Sequence, residues 1–299
     1  MHHVFFTSLA EDLSIRPGWN GSRLDEILRS TYIRYESEED RLYDTIDYYV
    51  KKCCRFYETQ FQTPNTQQDT FEVYVSYGQK YLPIIEQFEF PDYIKLIHRG
   101  PGFSTTKEET PYNPYQLKCK FLFSEEFKAK YADKPVSVTR IDADDILSNM
   151  TFDQISRTVN AHKDFPYFYI LYKRYRQFER ATGRYTVPLW HHSPGFATMC
   201  FPSLDDRIYN NPIDYVSELG LWPHDSLHGR IHIEADSIMA LQSIGNNVGN
   251  WLRDGGTGAS HYDQANQVIF GGYEDSSYTP EQDSFMDISG WEPIKGKLL

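Results

Sequence analysis

The sequence predicts an α/β protein, a mostly parallel Rossmann-like sheet with helices on both faces, followed by a less regular C-terminal region. Three observations carry this. Short β-branched or aromatic runs, suited to buried strands, alternate with stretches of helical periodicity through the first half of the chain. Strand, helix, strand, helix, strand in that order favours parallel pairing through crossovers. The last of these strands runs directly into an acidic cluster, Asp142, Asp144 and Asp145.

Val4–Thr7 is the first apolar run. Ser14–Ser22 holds Pro17, Gly18 and Gly21 and reads as a loop. Leu24–Tyr35 suits a helix. A longer one is expected from Arg41 to about Thr59, with Leu42, Ile46, Tyr49, Val50, Cys53 and Phe56 at helical spacing. The polar stretch Thr63–Asp69 leads into a strand at Phe71–Ser76, closed by Gly78. Tyr81–Phe88 suits a helix and Tyr93–His98 a strand, before a Gly-, Pro- and Thr-rich loop over Arg99–Pro111. Tyr115–Tyr131 reads as helical, and Pro135–Ile141 is the strand that delivers the acidic cluster.

Beyond residue 150 the pattern loosens. Phe152–His162 suits a helix and Tyr167–Tyr172 an aromatic strand. Later apolar pieces such as Phe196–Phe201 lie between turns at Pro194, Pro202 and Asn210-Asn211-Pro212. No internal repeat is present. The tail from Gly271 is expected to wrap the surface or form a lid. The chain reads as one domain, with 1–150 as its first half and 151–299, tail included, as its second.

Composition narrows the class. Apolar residues make up 40% and charged residues 24% of the 299 positions, as in an ordinary soluble globular protein. Formal charge is −12, from 30 basic against 42 acidic residues, which is poorly matched to a phosphate backbone. The run Lys173–Arg176, continued by Arg180 and Arg184, is the local exception and reads first as a solvated helix or loop face. Aromatic residues reach 16%, with 23 Tyr; such rings suit sugars and nucleobases but serve mostly as core. Cys53, Cys54, Cys119 and Cys200 form no CxxC pair, so neither a disulfide framework nor a structural zinc site is expected, and a reducing compartment fits. Met1–Phe6 lacks the apolar stretch of a signal peptide, and no segment reaches the roughly 20 apolar residues of a membrane span. The expectation is a soluble, cytoplasmic protein, and the sequons at Asn20 and Asn149 are read as chance.

In an open parallel sheet, ligands bind beyond the carboxyl ends of the strands. Asp142, Asp144 and Asp145 follow Val136–Ile141 and so fall at that edge. If strand geometry persists, alternation puts Asp142 and Asp144 on one side. Clustered carboxylates repel one another unless a cation sits among them, and hard oxygen donors suit Mg²⁺ or Mn²⁺. Such an ion bridges a diphosphate and stabilises the charge on it as it leaves; Arg140 adds a second positive contact. The competing reading makes Asp-Ala-Asp-Asp a helix N-cap, with acids in the first turn of a helix begun by Ile146–Leu147.

The segment Val138-Thr139-Arg140-Ile141-Asp142-Ala143-Asp144-Asp145-Ile146-Leu147 resembles the signature of a rhamnosyltransferase family whose members carry a T-R-L/I-D-x-D-D block. That family belongs with nucleotide-sugar glycosyltransferases of the A-type fold, a single α/β domain with a DxD metal motif. Weaker resemblances lie in the N-terminal strand ending at Thr7, in Cys54–Gln62 before Phe71–Gly78, and in Gln242–Trp251. In the family a His precedes the late Gly-x-Asn-x-x-Asn block; here Ile244 precedes Gly245–Asn250, which leaves the third metal ligand and the sugar open.

The resemblance implies a sugar transferred from a nucleotide-diphosphate donor to a glycan or other hydroxyl acceptor. Arg140 and Asp142 would meet the donor, and Asp144 and Asp145 would hold Mn²⁺ or Mg²⁺. Thr7 and Ser8, at the end of the first strand, are placed to meet the base or ribose. An inverting transfer needs a general base. Asp225, in the loop after Pro223, is the favoured candidate, with Asp205 and Asp206 competing. His224, His228 and His232 recur every four residues, but Gly229, Ile231 and Ile233 argue against a helix. A three-His zinc site is therefore set aside, and His228 is kept as a single further metal ligand. His191–Phe196 reads equally as an acceptor loop or a surface turn. Gly245–Asn250 offers N–H groups to phosphate but lacks the Lys of a P-loop.

Two alternatives stand beside this reading. One is a noncatalytic sugar- or nucleotide-binding protein on the same fold. The other, prompted by a Tyr- and Asn-rich composition similar to some phage and viral proteins, takes a hydroxymethylated DNA base as acceptor. Net charge disfavours DNA.

Overall fold

The computed structural model describes residues 1–10, 33–60, 66–99, 124–172, 174–179, 183–188, 197–206, 232–235, 240–244, 268–269, 272–283, 285 and 290–298. The chain opens with β1 (His2–Ala10), passes the short β2 (Ile33–Arg34), and enters α1 (Glu38–Lys51). Ser37 caps α1 by accepting the Asp40 N–H at 3.0 Å, and acids fill its first turn, as the helix dipole favours. A single helix to Thr59 was expected. Instead the helix ends at Lys52, and a 3₁₀ turn at Cys53–Arg55 leads into α2 (Phe56–Thr59). Cys53, Cys54, Phe56 and Tyr57 are all buried, and one straight helix has no face wide enough to bury four residues out of five.

Next come β3 (Thr70–Gly78), the one-turn α3 (Leu82–Ile85), β4 (Ile94–Arg99), α4 (Glu125–Tyr131), β5 (Val136–Arg140), β6 (Ile146–Leu147) and α5 (Thr151–Ala161). α4 starts later than the sequence suggests, because Ser124 accepts the Phe127 N–H and caps it there. Ile33–Arg34, expected at the end of a helix, is a strand paired with Lys297–Leu298.

Among the described residues, the main sheet has seven strands. With β7 (Phe168–Leu171), β10 (Ala197–Phe201) and β11 (His232–Glu234), its order is β11-β7-β10-β5-β1-β3-β4. β1 pairs in parallel with both β3 and β5, β3 with β4, and β7 with β11, while β10 alone runs antiparallel, between β5 and β7. This is the mostly parallel α/β sheet that the sequence predicts, and strands from both sides of residue 150 share it. From β1 the chain winds outward through β3 to β4, then returns to lay β5 on the other side of β1. The winding direction therefore reverses between β1 and β5, and in open α/β sheets such a reversal leaves a crevice at the carboxyl ends.

Helices cover both faces. Val4, Phe6, Val138 and Met199 lie with Phe127 and Tyr131 of α4, while Phe5, Val73 and Ile170 lie with residues of α1, α2 and α5. Among the described residues, no helix is long and apolar enough to cross a membrane. Cys53, Cys54 and Cys200 are free thiols; Cys119 lies outside the described residues.

A second sheet was not foreseen. Among the described residues, five strands, β8 (Tyr175–Glu179), β9 (Arg184–Pro188), β12 (Ala240–Ile244), β13 (Val268–Ile269) and β14 (Gly272–Glu274), join β6 in the order β13-β14-β9-β8-β12-β6. Of the basic run, Arg176 lies in β8 and Arg184 in β9, an antiparallel strand pair, rather than on a helix face, while Lys173 and Arg180 lie outside the described residues.

The tail does wrap. Asp275 N–H bonds to Tyr185 O, the Asp283 carbonyl accepts from Ser148, and Trp291 Nε1 donates to Asp47. The chain ends in β15 (Lys297–Leu298), paired with β2.

Candidate active site

β5 brings Arg140 to the sheet's carboxyl edge, opposite Phe6 of β1, and the Ile141 N–H bonds back to Phe6 O. The strand stops there. Asp145 N–H reaches Asp142 O at 3.2 Å, so Asp142–Asp145 form a tight turn, and Ile146–Leu147 then leave as a strand of the second sheet. The N-cap reading fails on this point: no helix begins until Thr151. The acidic turn leads from the main sheet into the second, beside the reversal point between β1 and β5.

Because strand geometry ends at Arg140, Asp142 and Asp144 do not share one side. Asp142 is half-buried, the least buried of the three, its carboxylate accepting from Arg140 Nη2 at 2.7 Å. Asp144 and Asp145 turn inward and are 8% and 2% exposed. Among the described residues, no group of three or more His, Cys, Asp or Glu side chains is placed to hold a metal ion. Two adjacent carboxylates are nevertheless a suitable donor set for Mg²⁺ or Mn²⁺, which characteristically take one or two carboxylates and complete their shell with water and phosphate oxygens.

The turn is pinned on both sides. Downstream, Ser148 Oγ donates to Asp283 O, and its carbonyl accepts from the buried Gln60 Nε2 at 3.1 Å. The other atom of that amide, Gln60 Oε1, accepts the Phe152 N–H and so caps α5, while Thr59 donates to Asn149 Oδ1. Upstream, Thr139 Oγ1 shares a 2.7 Å hydrogen bond with Thr198 Oγ1, which shares another, at 2.6 Å, with the Tyr172 hydroxyl.

The other sequence-predicted residues fall as follows. β1 does not end at Thr7 but continues to Ala10, with an irregularity in its pairing between Ser8 and Ala10. Thr7 is 3% exposed on the face of Phe5 and Leu9, whereas Ser8 turns to the opposite, half-buried face beside Ser76. Asp205 and Asp206 follow β10, the antiparallel strand, and Leu204 bonds to Lys134 at the start of β5. They therefore sit at the amino edge, about 17 Å from the acidic turn at 3.3 Å per residue of β5, and cannot act as base there. His232 lies in β11, opposite Tyr169, so the His series does not continue a helix to that point. Asp225, His228, His191–Phe196 and Gly245–Asn250 lie outside the described residues.

No family model and no curated protein matches the chain. It is similar to solved structures at low identity. The crystal structure of residues 1–349 of TarS from S. aureus is 11% identical, with a TM-score of 0.35 over 81% of this chain and 60% of that one. This chain thus spans less than two thirds of that structure. A protein described as a nucleotide-diphospho-sugar transferase, from Desulfovibrio desulfuricans, is 10% identical, with a TM-score of 0.32 over 88% and 90% of the two chains. The 4-diphosphocytidyl-2C-methyl-D-erythritol synthase of Anaerococcus prevotii is 12% identical, with a TM-score of 0.30 over 82% and 90%.

Proposed function

We propose that this chain is a nucleotide-diphospho-sugar transferase, and that Arg140–Asp145 is its donor site. The observation that carries the reading is the placement of two buried carboxylates, Asp144 and Asp145, on a turn at the carboxyl edge of β5, beside the point where the sheet's winding reverses. A crevice at that point takes a nucleotide in open α/β sheets. Asp144 and Asp145 would hold the divalent cation. When bound, Mn²⁺ or Mg²⁺ supplies charge neutralisation to the departing diphosphate.

The chain's own residues do the rest. Arg140 presents a permanent cation at the same edge, held in direction by Asp142. In the transfer, an acceptor hydroxyl oxygen bonds to the anomeric carbon, the bond from that carbon to the diphosphate oxygen breaks, and the hydroxyl proton passes to a base. Asp225 is the candidate for that base, and His228 for a further metal ligand. The acceptor is a glycan or another hydroxyl compound.

The test is hydrolysis of a panel of nucleotide-diphospho-sugars with and without Mn²⁺, in the wild type and in Asp144→Ala and Asp145→Ala. Metal-dependent turnover should appear in the wild type and fall by about two orders of magnitude in each variant, the scale of losing a preorganised charge at a leaving group. Turnover and Mn²⁺ binding that survive both substitutions would sink the assignment.

A further inference from the structure

Three hydroxyls cross the main sheet just behind the acidic turn. Thr139 of β5, Thr198 of β10 and Tyr172, one residue beyond β7, are linked by hydrogen bonds of 2.7 and 2.6 Å. Thr139 and Thr198 are 0% exposed and Tyr172 is 1% exposed. β5 and β7 end at this edge and β10 begins there, so the chain of hydroxyls laces together three strand termini. Thr139 directly precedes Arg140 and stands three residues before Asp142.

Backbone pairing alone is weakest at such an edge. β10 is the one antiparallel strand, and its last paired position against β5 is Thr198 opposite Thr139. Beyond that pair nothing in the β5–β10 ladder fixes the end of β5. A buried hydroxyl chain does so, since Thr198 at its centre takes part in both bonds and leaving a hydroxyl unpartnered in a dry core is costly.

We infer that Thr198 is a positioning residue for the donor site: through Thr139 and Tyr172 it fixes the end of β5, and so the place of Arg140 and the Asp142–Asp145 turn. Its role is indirect, since it lies beneath the turn rather than in it. The inference rests on the donor-site reading above.

The test uses Mn²⁺ affinity, read from the electron paramagnetic resonance signal of free Mn²⁺, alongside kcat and KM for donor hydrolysis. Thr198→Val keeps the volume and removes the hydroxyl; Thr198→Ser keeps the hydroxyl. Cys200→Ala is the control, buried on the same face of the same strand but outside the hydroxyl chain. Thr198→Val should lower Mn²⁺ affinity and kcat by about five- to tenfold, in the range of losing an outer-shell partner. Thr198→Ser should stay within about twofold of the wild type by the same scale. Cys200→Ala should keep Mn²⁺ affinity even where its thermal midpoint falls as far as that of Thr198→Val. If Thr198→Val fails to fold, Tyr172→Phe, which deletes only the terminal hydroxyl, takes its place. Wild-type Mn²⁺ affinity in the hydroxyl-deleted variant, or an equal loss in Cys200→Ala, overturns the inference. Asp144→Ala separates the two readings. If it too binds Mn²⁺ normally, the donor-site reading falls and this inference with it; if it alone loses the metal, only the positioning role falls.

Discussion

Arg140 and Asp142 stand two residues apart and form an ion pair, Nη2 to Oδ1 at 2.7 Å, with 19% and 34% of their side chains exposed. The pair assigns the three acids of the turn unequal duties. Asp142 anchors the guanidinium, and under the proposed donor-site reading the inward Asp144 and Asp145 would be the metal donors. Asp142→Asn should therefore cost less than about 1 kcal/mol of stability, as screened pairs do. It should leave Mn²⁺ affinity within about twofold of the wild type and raise the donor KM by about three- to tenfold, a loss near 1 kcal/mol at the diphosphate. Donor titrations at fixed Mn²⁺ read this directly. An Asp142→Asn variant that no longer binds Mn²⁺ would make Asp142 a ligand instead.

One carboxylate holds three successive residues of the C-terminal strap. Asp44, fully buried in α1, accepts the N–H groups of Ile294, Lys295 and Gly296 at 2.9–3.2 Å. A Cβ on Gly296 would lie 2.3 Å from Ile33 Cγ2 and 2.7 Å from Tyr35 Cε1, so glycine is required by close approach. Asp44→Ala leaves several N–H groups without their acceptor and should lose about 2–4 kcal/mol. Gly296→Ala overpacks the same contact and should lose about 1–3 kcal/mol. Because both undo one docking, the double variant should lose less than the sum. Urea unfolding followed by tryptophan fluorescence checks this, since Trp291 is 9% exposed and bonded to Asp47 in the same strap. Full additivity would mean that the strap is not one unit.

What the sequence showed of this architecture follows from how each part is built. β1, β3 and β5 were legible because their middles are buried in the sheet and carry apolar or aromatic residues, and β4, an edge strand with Lys95 and Leu96 exposed, showed through its Ile94, Leu96 and Ile97. α5 was legible because its buried Phe152, Ile155 and Val159 recur at helical spacing. The second sheet was not. β6 and β13 have two residues each, too few for any period, and β6 pairs with β12 more than 90 positions away. β8 sets its buried Tyr175 and Phe178 among Arg174, Arg176 and Glu179 in the sequence, so it reads as part of a charged run. The acidic turn was visible because it is contiguous. The hydroxyl chain behind it was not, because Thr139, Thr198 and Tyr172 meet only once three strands are side by side.

Buried thiols give a prediction about local opening. Cys54 is fully buried and donates to Val50 O, and burial pushes its pKa up to about 12; burial also holds the Cys200 thiol well above its ordinary value. Only the thiolate reacts with a disulfide reagent. At pH 8 neither residue should react in the native protein, and both should be modified at the rate of unfolding. Peptide mapping after timed exposure to the reagent decides the matter. Fast labelling of Cys200 with the fold otherwise intact would show that β10 leaves the sheet by itself.

The amino edge of the sheet carries a pH dependence of its own. His3, fully buried, lies between Asp69 Oδ2 at 3.2 Å and Ser137 Oγ at 2.8 Å, with its ring stacked on Phe152. Burial lowers the His3 pKa, and the pull of Asp69 offsets this only in part. His2, stacked on Tyr131 near Glu72, is lowered for the same reason. A histidine with a lowered folded pKa binds its proton less readily than the unfolded chain does. As pH falls from neutrality through the ordinary histidine pKa, the unfolded state therefore takes up protons first, and stability declines until the folded pKa is reached. The slope cannot exceed about 1.4 kcal/mol per pH unit for each group. Asp69 acts lower on the scale. Burial alone would raise its pKa, but hydrogen bonds from His3, the Met1 amino group and Ser156 outweigh it and leave it lowered. Its contribution is thus present above the ordinary carboxylate pKa and lost as pH falls through the lowered folded value. Urea midpoints measured between pH 7.5 and pH 5 should fall in the wild type and fall less steeply in His3→Gln, with His2→Gln removing a further part of the slope. If His3→Gln shows the wild-type slope, His3 takes its proton as readily in the folded protein as in the unfolded chain, and the acid sensitivity has another source.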